Sequence, residues 1–320
     1  MSQTIEVLVS RRQQLAEGII GLELIAADGG SLPPFSAGAH IDVHVPVVSV
    51  VRQYSLANDP RETSRYVIAI QQEPNSRGGS VGMHNYVQEG ECLHISAPRN
   101  HFELVPAPHV VLIAGGIGIT PLFAMARQLA AEGVSFALHY ATRTPQRMAF
   151  YEELQQSEFA DRVRFYYSDL PEGARFDVSA LLQTVSDQTH VYVCGPSSLI
   201  DAVVAQAEKA QILPERIHRE YFHNEQLSTG TEHSFEVRIA STGAEFLVEA
   251  DQSIAQVLEA NGVFVPVSCE EGVFGTCLTG VLEGDIDHRD VYLTDEEKAE
   301  NNQMAVCCSR ARSSRLILDL

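Results

Sequence analysis

Basic residues are scarce. The chain carries 22 Lys and Arg against 42 Asp and Glu over 320 residues, a formal charge of −20. That balance excludes a nucleic-acid partner, because a phosphate backbone needs clustered Lys and Arg. It also disfavours docking on an anionic membrane surface. It suits a basic protein partner or plain solubility. Long apolar runs are lacking too. The most apolar stretch, Val110 to Ala126, is broken by Gly115, Gly116, Gly118 and Pro121, so it makes no membrane span. Met1 to Ser10 shows no basic-then-apolar signal pattern. Cysteine is sparse, six residues in all, which excludes a disulfide framework. Four of the six follow residue 268, so local chemistry is expected there, and the expected compartment is the reducing cytoplasm. The histidines form no HxxxH-type pair with further ligand partners, so no zinc site is read.

What is present is ordinary for a globular protein: 45% apolar and 20% charged residues. The length exceeds a single core and predicts two or three domains. Three rhythms follow one another. Up to about Leu104, short Val-, Ile- and Tyr-rich runs lie between turn clusters: Ile5–Val9, Ile19–Ile25, His40–Val45, Tyr66–Ile70 and Cys92–Ile95. They predict an antiparallel barrel or sandwich, with Cys92 in its core. From His109 to about Phe222, strands alternate with helices. The strands are Val110–Ala114, Ser135–Ala141, Val163–Tyr167 and His190–Cys194, and the helices Thr120–Ala131, Phe150–Gln156 and Ser197–Lys209. This alternation builds a helix-covered parallel sheet. The polar stretch His223–Ser234 reads as a linker. A hairpin, Phe235–Ala240 with Glu245–Glu249, a helix capped by Ser253 and a Cys-bearing loop come after it.

Four constellations can carry chemistry. Gly115-Gly116-Ile117-Gly118-Ile119-Thr120-Pro121 ends an apolar strand and opens a helix, where free N–H groups and a positive dipole end suit a pyrophosphate. Its spacing is not GxGxxG, and a plain tight turn is the bland alternative. Cys194-Gly195-Pro196 ends a second strand at the same carboxyl edge, where open α/β sheets bind ligands. Its thiol is either a nicotinamide neighbour or a buried strand Cys. Arg52-Gln53-Tyr54-Ser55 and Arg77-Gly78-Gly79-Ser80 read separately as a strand and a turn, and together as a phosphate cradle. Last comes Cys269-Glu-Glu-Gly-Val-Phe274-Gly-Thr-Cys277, followed by Cys307-Cys308. Plant-type [2Fe–2S] loops read C-x4-C-x2-C…C, and here Phe274 stands at the second position without a ligand atom. The run Asp285, Asp287, His288, Arg289, Asp290 reads as a solvated loop, or as a docking surface.

In this order the four constellations resemble the phthalate dioxygenase reductase family, which includes the reductase components of vanillate O-demethylases and related Rieske oxygenases. The resemblance covers essentially the whole chain. It implies a multidomain protein: an antiparallel β-barrel flavin domain (1–104), an α/β NAD-binding domain (105–226), a linker (227–234) and a C-terminal α+β plant-type ferredoxin (β-grasp) domain (235–320). It implies FMN contacts at Arg52, Tyr54, Ser55, Ala69, Ile70, Gln71, Arg77, Gly78, Gly79 and Ser80. It implies a nicotinamide loop at Gly115, Gly116, Gly118 and Thr120, with Cys194, Gly195 and Pro196 opposite. The adenosine side falls at Thr142, Arg143 and Asp169, and Phe222 is the aromatic near the flavin. Thr120, Cys194 and Phe222 are the expected catalytic-site residues. Cys269, Cys277 and Cys307 match three cluster ligands.

The implied activity is a split of electrons: NADH gives a hydride to FMN, and single electrons pass through a [2Fe–2S] centre to a terminal Rieske oxygenase. NADH is preferred over NADPH because Asp169 would repel a 2′-phosphate. Phe274 leaves three accounts open. The chain is a variant of a cluster-bearing reductase, or a natural member without its cluster, or its site is completed by Cys308 or Glu270. Completion is the least favoured, since neighbouring side chains of an extended chain point opposite ways. The cluster is expected to be absent or labile and the electron outlet impaired. The alternative is a stand-alone NADH:acceptor (flavin or ferric) reductase with a vestigial ferredoxin domain.

Overall fold

A computed structural model describes residues 4–47, 50–73, 78–170, 175–222, 233–267 and 269–320. The chain divides into two compact units, Met1–Phe222 and His223–Leu320.

The first unit opens with an antiparallel sheet. Its strands are β1 (Ile5–Ala16), β2 (Ile19–Ala26), β3 (Ala39–Val45), β4 (Val50–Ser55), β5 (Tyr66–Gln71), β6 (Cys92–Ile95) and β7 (Arg99–Asn100). The order is β4-β3-β6-β1-β2-β5, with β7 on β3. The two ends of the path, β4 and β5, lie against each other, so the sheet curls toward a barrel. Alternation drives it: Val7 and Val9 on β1 and Ile20, Leu22 and Leu24 on β2 point into one core. The same alternation corrects one expectation. Leu93 and Ile95 of β6 face inward, which turns Cys92 out to solvent. A helix, α1 (Gly79–Tyr86), joins β5 to β6. It was read in the sequence only as a Gly-Gly-Ser turn.

The second half of this unit is a parallel sheet. Its strands are β8 (His109–Gly115), β9 (Ser135–Thr142), β10 (Val163–Tyr167), β11 (Thr189–Cys194) and β12 (Ile217–Glu220). The helices are α2 (Ile119–Ala131), α3 (Tyr151–Gln156), α4 (Val178–Leu182) and α5 (Ser197–Lys209). The order β10-β9-β8-β11-β12 reverses direction at β8. A crevice therefore opens beyond the carboxyl ends of β8 and β11. Helix α2 is apolar all round and buried from Ile119 through Ala126, whereas α5 buries one stripe, Ile200, Val203 and Ala207. One core runs through both sheets, joining Ile19, Ala57, Ala69 and Phe102 to Leu112, Ile119 and Tyr192. Tyr192 Oη accepts from the Val105 N–H at 2.8 Å and donates to the Glu103 carbonyl at 3.2 Å. This satisfies a buried phenol and staples the segment linking the two sheets.

The second unit is a mixed sheet of β13 (Phe235–Ile239), β14 (Glu245–Val248), β15 (Leu278–Glu283), β17 (Gln303–Ala305) and β19 (Arg315–Leu318). A small pair, β16 (Ile286–Asp287) with β18 (Arg310–Ala311), flanks it. The order is β14-β13-β19-β15-β17. Helix α6 (Ile254–Ala260) begins at Ser253 with a full capping box: Ser253 Oγ accepts from Gln256 N at 3.2 Å, and Gln256 Oε1 accepts from Ser253 N at 2.9 Å. Thr294 and Glu297 repeat the device on α7 (Asp295–Glu300). Most of the expected linker lies outside the described residues. The charged run is only partly solvated. Asp290 is 2% exposed, and it accepts from the Leu293 N–H at 2.8 Å and the Ser309 hydroxyl at 3.3 Å, bracing two turns.

Candidate functional site

The first cradle forms where β4, β5 and the start of α1 meet. Gly78 takes φ +99, a left-handed turn that suits glycine, and no side chain caps the helix it opens. Arg52 of β4 lies across that helix start, and a Cβ on Gly79 would sit 2.6 Å from Arg52 Nε. A glycine is therefore needed for the guanidinium to reach the helix end. A charged fork beside helix N–H groups is an anion site. The Ser80 hydroxyl accepts from the Glu73 N–H at 3.0 Å and closes the loop, while His84 Nε2 donates to the Ile70 carbonyl at 2.9 Å and pins α1 to β5. Ser55, Ala69 and Ile70 are buried beneath this cradle and Tyr54 packs against the barrel core. Arg77 lies outside the described residues.

The second cradle is the crevice between β8 and β11. The short turn Gly116–Gly118 leads β8 into α2. A Cβ on Gly118 would lie 2.2 Å from the Cys194 carbonyl oxygen, and one on Gly115 would lie 2.7 Å from Pro196 Cδ. The two strand-end loops touch backbone to backbone, and only glycines permit it. Thr120 is buried and spends its hydroxyl on the Ile117 carbonyl at 3.0 Å, so it fixes the turn. The cradles adjoin: a Cβ on Gly116 would lie 4.0 Å from Gln71 Oε1 of β5. Phe222 packs on the core that underlies both.

Beside this crevice sits a residue that sequence reasoning missed. Glu220 ends β12 in register with Cys194, and the thiol lies 3.9 Å from Glu220 Oε2. Burial pushes the Glu220 carboxyl up to about 8, and burial followed by this carboxyl pushes the Cys194 thiol well above its ordinary range. Both groups hold their protons at neutral pH. The only signal in the sequence was position, two residues before Phe222. The raised value has a stability consequence. Protonated Glu220 contributes fully below its unfolded value of 4.5, and that contribution is lost as pH climbs through about 8. Glu220→Gln should therefore gain thermal stability relative to the parent as pH rises across that window. Melting curves at the two ends check it, and an unchanged difference counts against the buried acid.

At the far edge of the sheet, Thr142 ends β9 and Asp169 follows β10. The Asp169 N–H donates to the Arg143 carbonyl at 3.1 Å and the Ser168 N–H to the Thr142 carbonyl at 3.0 Å. These residues therefore share one sheet corner.

The second unit gathers the thiols. The loop after Cys269 winds through left-handed Glu270, Gly272 and Gly275. Cys269 Sγ accepts from the Glu271 and Val273 N–H groups at 3.5 and 3.3 Å. The Cys307 thiol, joined by these N–H groups and that of Phe274, pulls the Cys269 thiol down to about 6 against the opposing push of burial. Cys277 and Cys307 lie 3.1 Å apart, sulfur to sulfur. The chain turns at residues 306–308, so Cys308 does not point away as an extended chain would require. Its sulfur lies against Gly272, where a Cβ would come within 2.4 Å. Phe274, half-buried, holds the remaining position.

A helix-covered parallel sheet with a glycine-lined crevice, an antiparallel anion cradle beside it and a thiol-bearing mixed-sheet unit define an NAD-binding oxidoreductase of modular electron-transfer type. Residues 112–205 match the oxidoreductase NAD-binding domain family, and residues 237–312 the 2Fe-2S iron-sulfur cluster binding domain family. The chain is 48% identical over 317 residues to a vanillate O-demethylase oxidoreductase of Pseudomonas sp. (strain HR199 / DSM 7063), covering 99% of this chain and 100% of that one. It is 40% identical over 315 residues to the phthalate dioxygenase reductase of Burkholderia cepacia, covering 98% and 96%. A solved phthalate dioxygenase reductase superposes with a TM-score of 0.80 at 39% identity, covering 99% of this chain and 98% of that one. The chain belongs to the phthalate dioxygenase reductase family. It is a reductase component of the kind that serves oxygenase systems, and no helix among the described residues is long and apolar enough to cross a membrane.

The residues fit two of the family's three groups. The Arg52–Gly79 cradle suits a flavin phosphate, and the Gly115–Gly118 crevice suits a dinucleotide. The thiol set does not fit a [2Fe–2S] cluster. Two irons need four ligand positions, and Phe274 offers no donor atom at one of them. Among the described residues, no group of three or more His, Cys, Asp or Glu side chains is set to hold a metal ion.

Proposed function

We propose that the chain oxidises NADH in the β8–β11 crevice and passes the electrons to FMN held by β4, β5 and α1, with the outlet beyond the flavin impaired at Phe274. The observation that carries this is the adjacency of the two cradles, Gln71 of β5 beside Gly116 of the dinucleotide turn. Bound FMN supplies the conversion of a two-electron donor into single-electron steps. The protein supplies position. Arg52 and the α1 N-terminus hold the phosphate. The Gly115–Gly118 and Cys194–Pro196 loops let the dinucleotide approach the backbone. Phe222 is the aromatic neighbour of the ring. Glu220 and Cys194 keep their protons and leave the crevice edge uncharged. Asp169, beside Arg143 at the sheet corner, disfavours a 2′-phosphate and supports NADH over NADPH.

The domain boundaries proposed are 1–104, 105–226, 227–234 and 235–320. The acceptor proposed is a terminal Rieske oxygenase, met in the cytoplasm. Phe274 also favours a second reading, a stand-alone NADH:acceptor reductase whose ferredoxin domain is vestigial. The test is a visible spectrum with iron per flavin, beside NADH-driven reduction of a small dye with and without an oxygenase. Flavin bands, little iron and dye reduction support the proposal. A chain that binds no flavin overturns it. Arg52→Ala should weaken flavin binding roughly 10–100-fold, the worth of a charge-assisted phosphate contact, as read by fluorescence titration of the apoprotein.

A further inference from the structure

We propose that Cys277 and Cys307 form a modification site, a thiol pair that hydrogen peroxide closes into a disulfide in the place where a cluster-bearing relative keeps iron. This rests on the reading above that the donor set is incomplete, since cluster thiolates would not be free to react. The geometry is built in. Strands β15 and β17 pair Leu278 with Ala305, and the Val306 N–H donates to the Cys277 carbonyl at 3.4 Å. The register thus sets Val306 opposite Cys277, and the turn at residues 306–308 carries Cys307 back beside it, with the two sulfurs 3.1 Å apart. A disulfide bond is about 2.05 Å long, so a closure of roughly 1 Å suffices, within the reach of side-chain rotation. Cys269 and Cys308 also interact with the Cys307 thiol, but each has further partners of its own. Cys269 Sγ is held by backbone N–H groups, and Cys308 Sγ lies 3.8 Å from the Ala305 carbonyl and 3.9 Å from Ser309 Oγ.

The chemistry balances. One sulfur attacks the peroxide, breaking its O–O bond; the sulfur becomes a sulfenic acid and one water leaves. The second sulfur attacks the first, the S–S bond forms and a second water leaves. Two thiols are oxidised by two electrons and one peroxide is reduced to two waters. A dithiol reductant reverses the closure, as expected for a cytosolic disulfide of the transient kind.

The experiment uses the full chain, purified under reductant and then desalted. Iron is measured first. The chain is next treated with hydrogen peroxide, alkylated, digested and mapped by mass spectrometry, with Cys92→Ser as a background that removes the exposed thiol. The expected result is loss of two thiols, from six in the parent chain or from five in the Cys92→Ser background, recovery of both under dithiothreitol, and one cross-linked peptide pair joining Cys277 to Cys307. Cys277→Ala and Cys307→Ala should each abolish that pair. Mapping the parent chain needs neither variant to fold. Thiols that stay free, or a link formed instead through Cys269 or Cys308, overturn the proposal. About two irons per chain at the first step overturns the incomplete-site reading itself. Little iron with no cross-link overturns the thiol-pair proposal alone.

Discussion

Phe274→Cys is expected to take the chain from little bound iron to about two irons per chain, and to open its electron outlet. The substitution restores a thiolate at the second position of the C-x4-C-x2-C spacing, where Phe274 now stands half-buried between Cys269 and Cys277. The rest of the site is prepared. Glu270, Gly272 and Gly275 already hold the left-handed turns of the loop, and the Glu271 and Val273 N–H groups already point at the first sulfur. A cluster thiolate is stabilised by such N–H donors, so only the ligand is missing. NADH-driven reduction of a one-electron acceptor such as cytochrome c should rise roughly tenfold or more, equivalent to at least about 1.4 kcal/mol off the limiting barrier. Reduction of a small dye directly by the flavin should hardly change. Cluster assembly would also occupy Cys277 and Cys307, so peroxide should no longer link them. A variant that binds no iron and reduces cytochrome c no faster would show that Phe274 is not the block.

Much of this site was legible in the sequence because its signals are local. Strand runs such as Cys92–Ile95 and Val163–Tyr167, the helix Ser197–Lys209 and the Ser253 cap follow from patterns a few residues long, and the structure reproduces them. The glycine loops were legible because glycine is tolerated cheaply in so few places that its clustering at strand ends marks close approach. What stayed hidden depends on the third dimension. Helix α1 is eight residues of Gly, Ser, Val, Met, His, Asn and Tyr with weak intrinsic helix preference, and it forms because His84 and the barrel hold it. Glu220 looked like any surface acid, and only its register with Cys194 in a parallel ladder buries it. Asp290 belonged to a charged run and became a buried brace through partners as distant as Ser309. Cys308 was turned the wrong way because an extended chain was assumed where the backbone turns.

Gly118→Ala is the expected severe lesion of the nucleotide side. Gly118 has φ −62 and ψ −3, which any residue accepts, so the backbone conformation costs nothing. The cost is contact. The new methyl would lie 2.2 Å from the Cys194 carbonyl oxygen and 2.7 Å from the Gly195 nitrogen, both backbone atoms that cannot swing aside. The α2 start and the Cys194–Pro196 loop must part by about 1 Å to restore ordinary contact, at a cost of roughly 1–3 kcal/mol in stability. The same displacement misplaces a bound dinucleotide, and an error of about 1 Å in a reacting pair costs on the order of 100-fold in rate. The kcat/KM for NADH should fall by about that factor. Flavin content should not, because the flavin cradle proposed at Arg52 and α1 is built from other elements. That contrast separates a local lesion from general unfolding. If flavin content and NADH turnover fall together, the lesion is general rather than local; an unchanged melting temperature with unchanged kcat/KM refutes the clash.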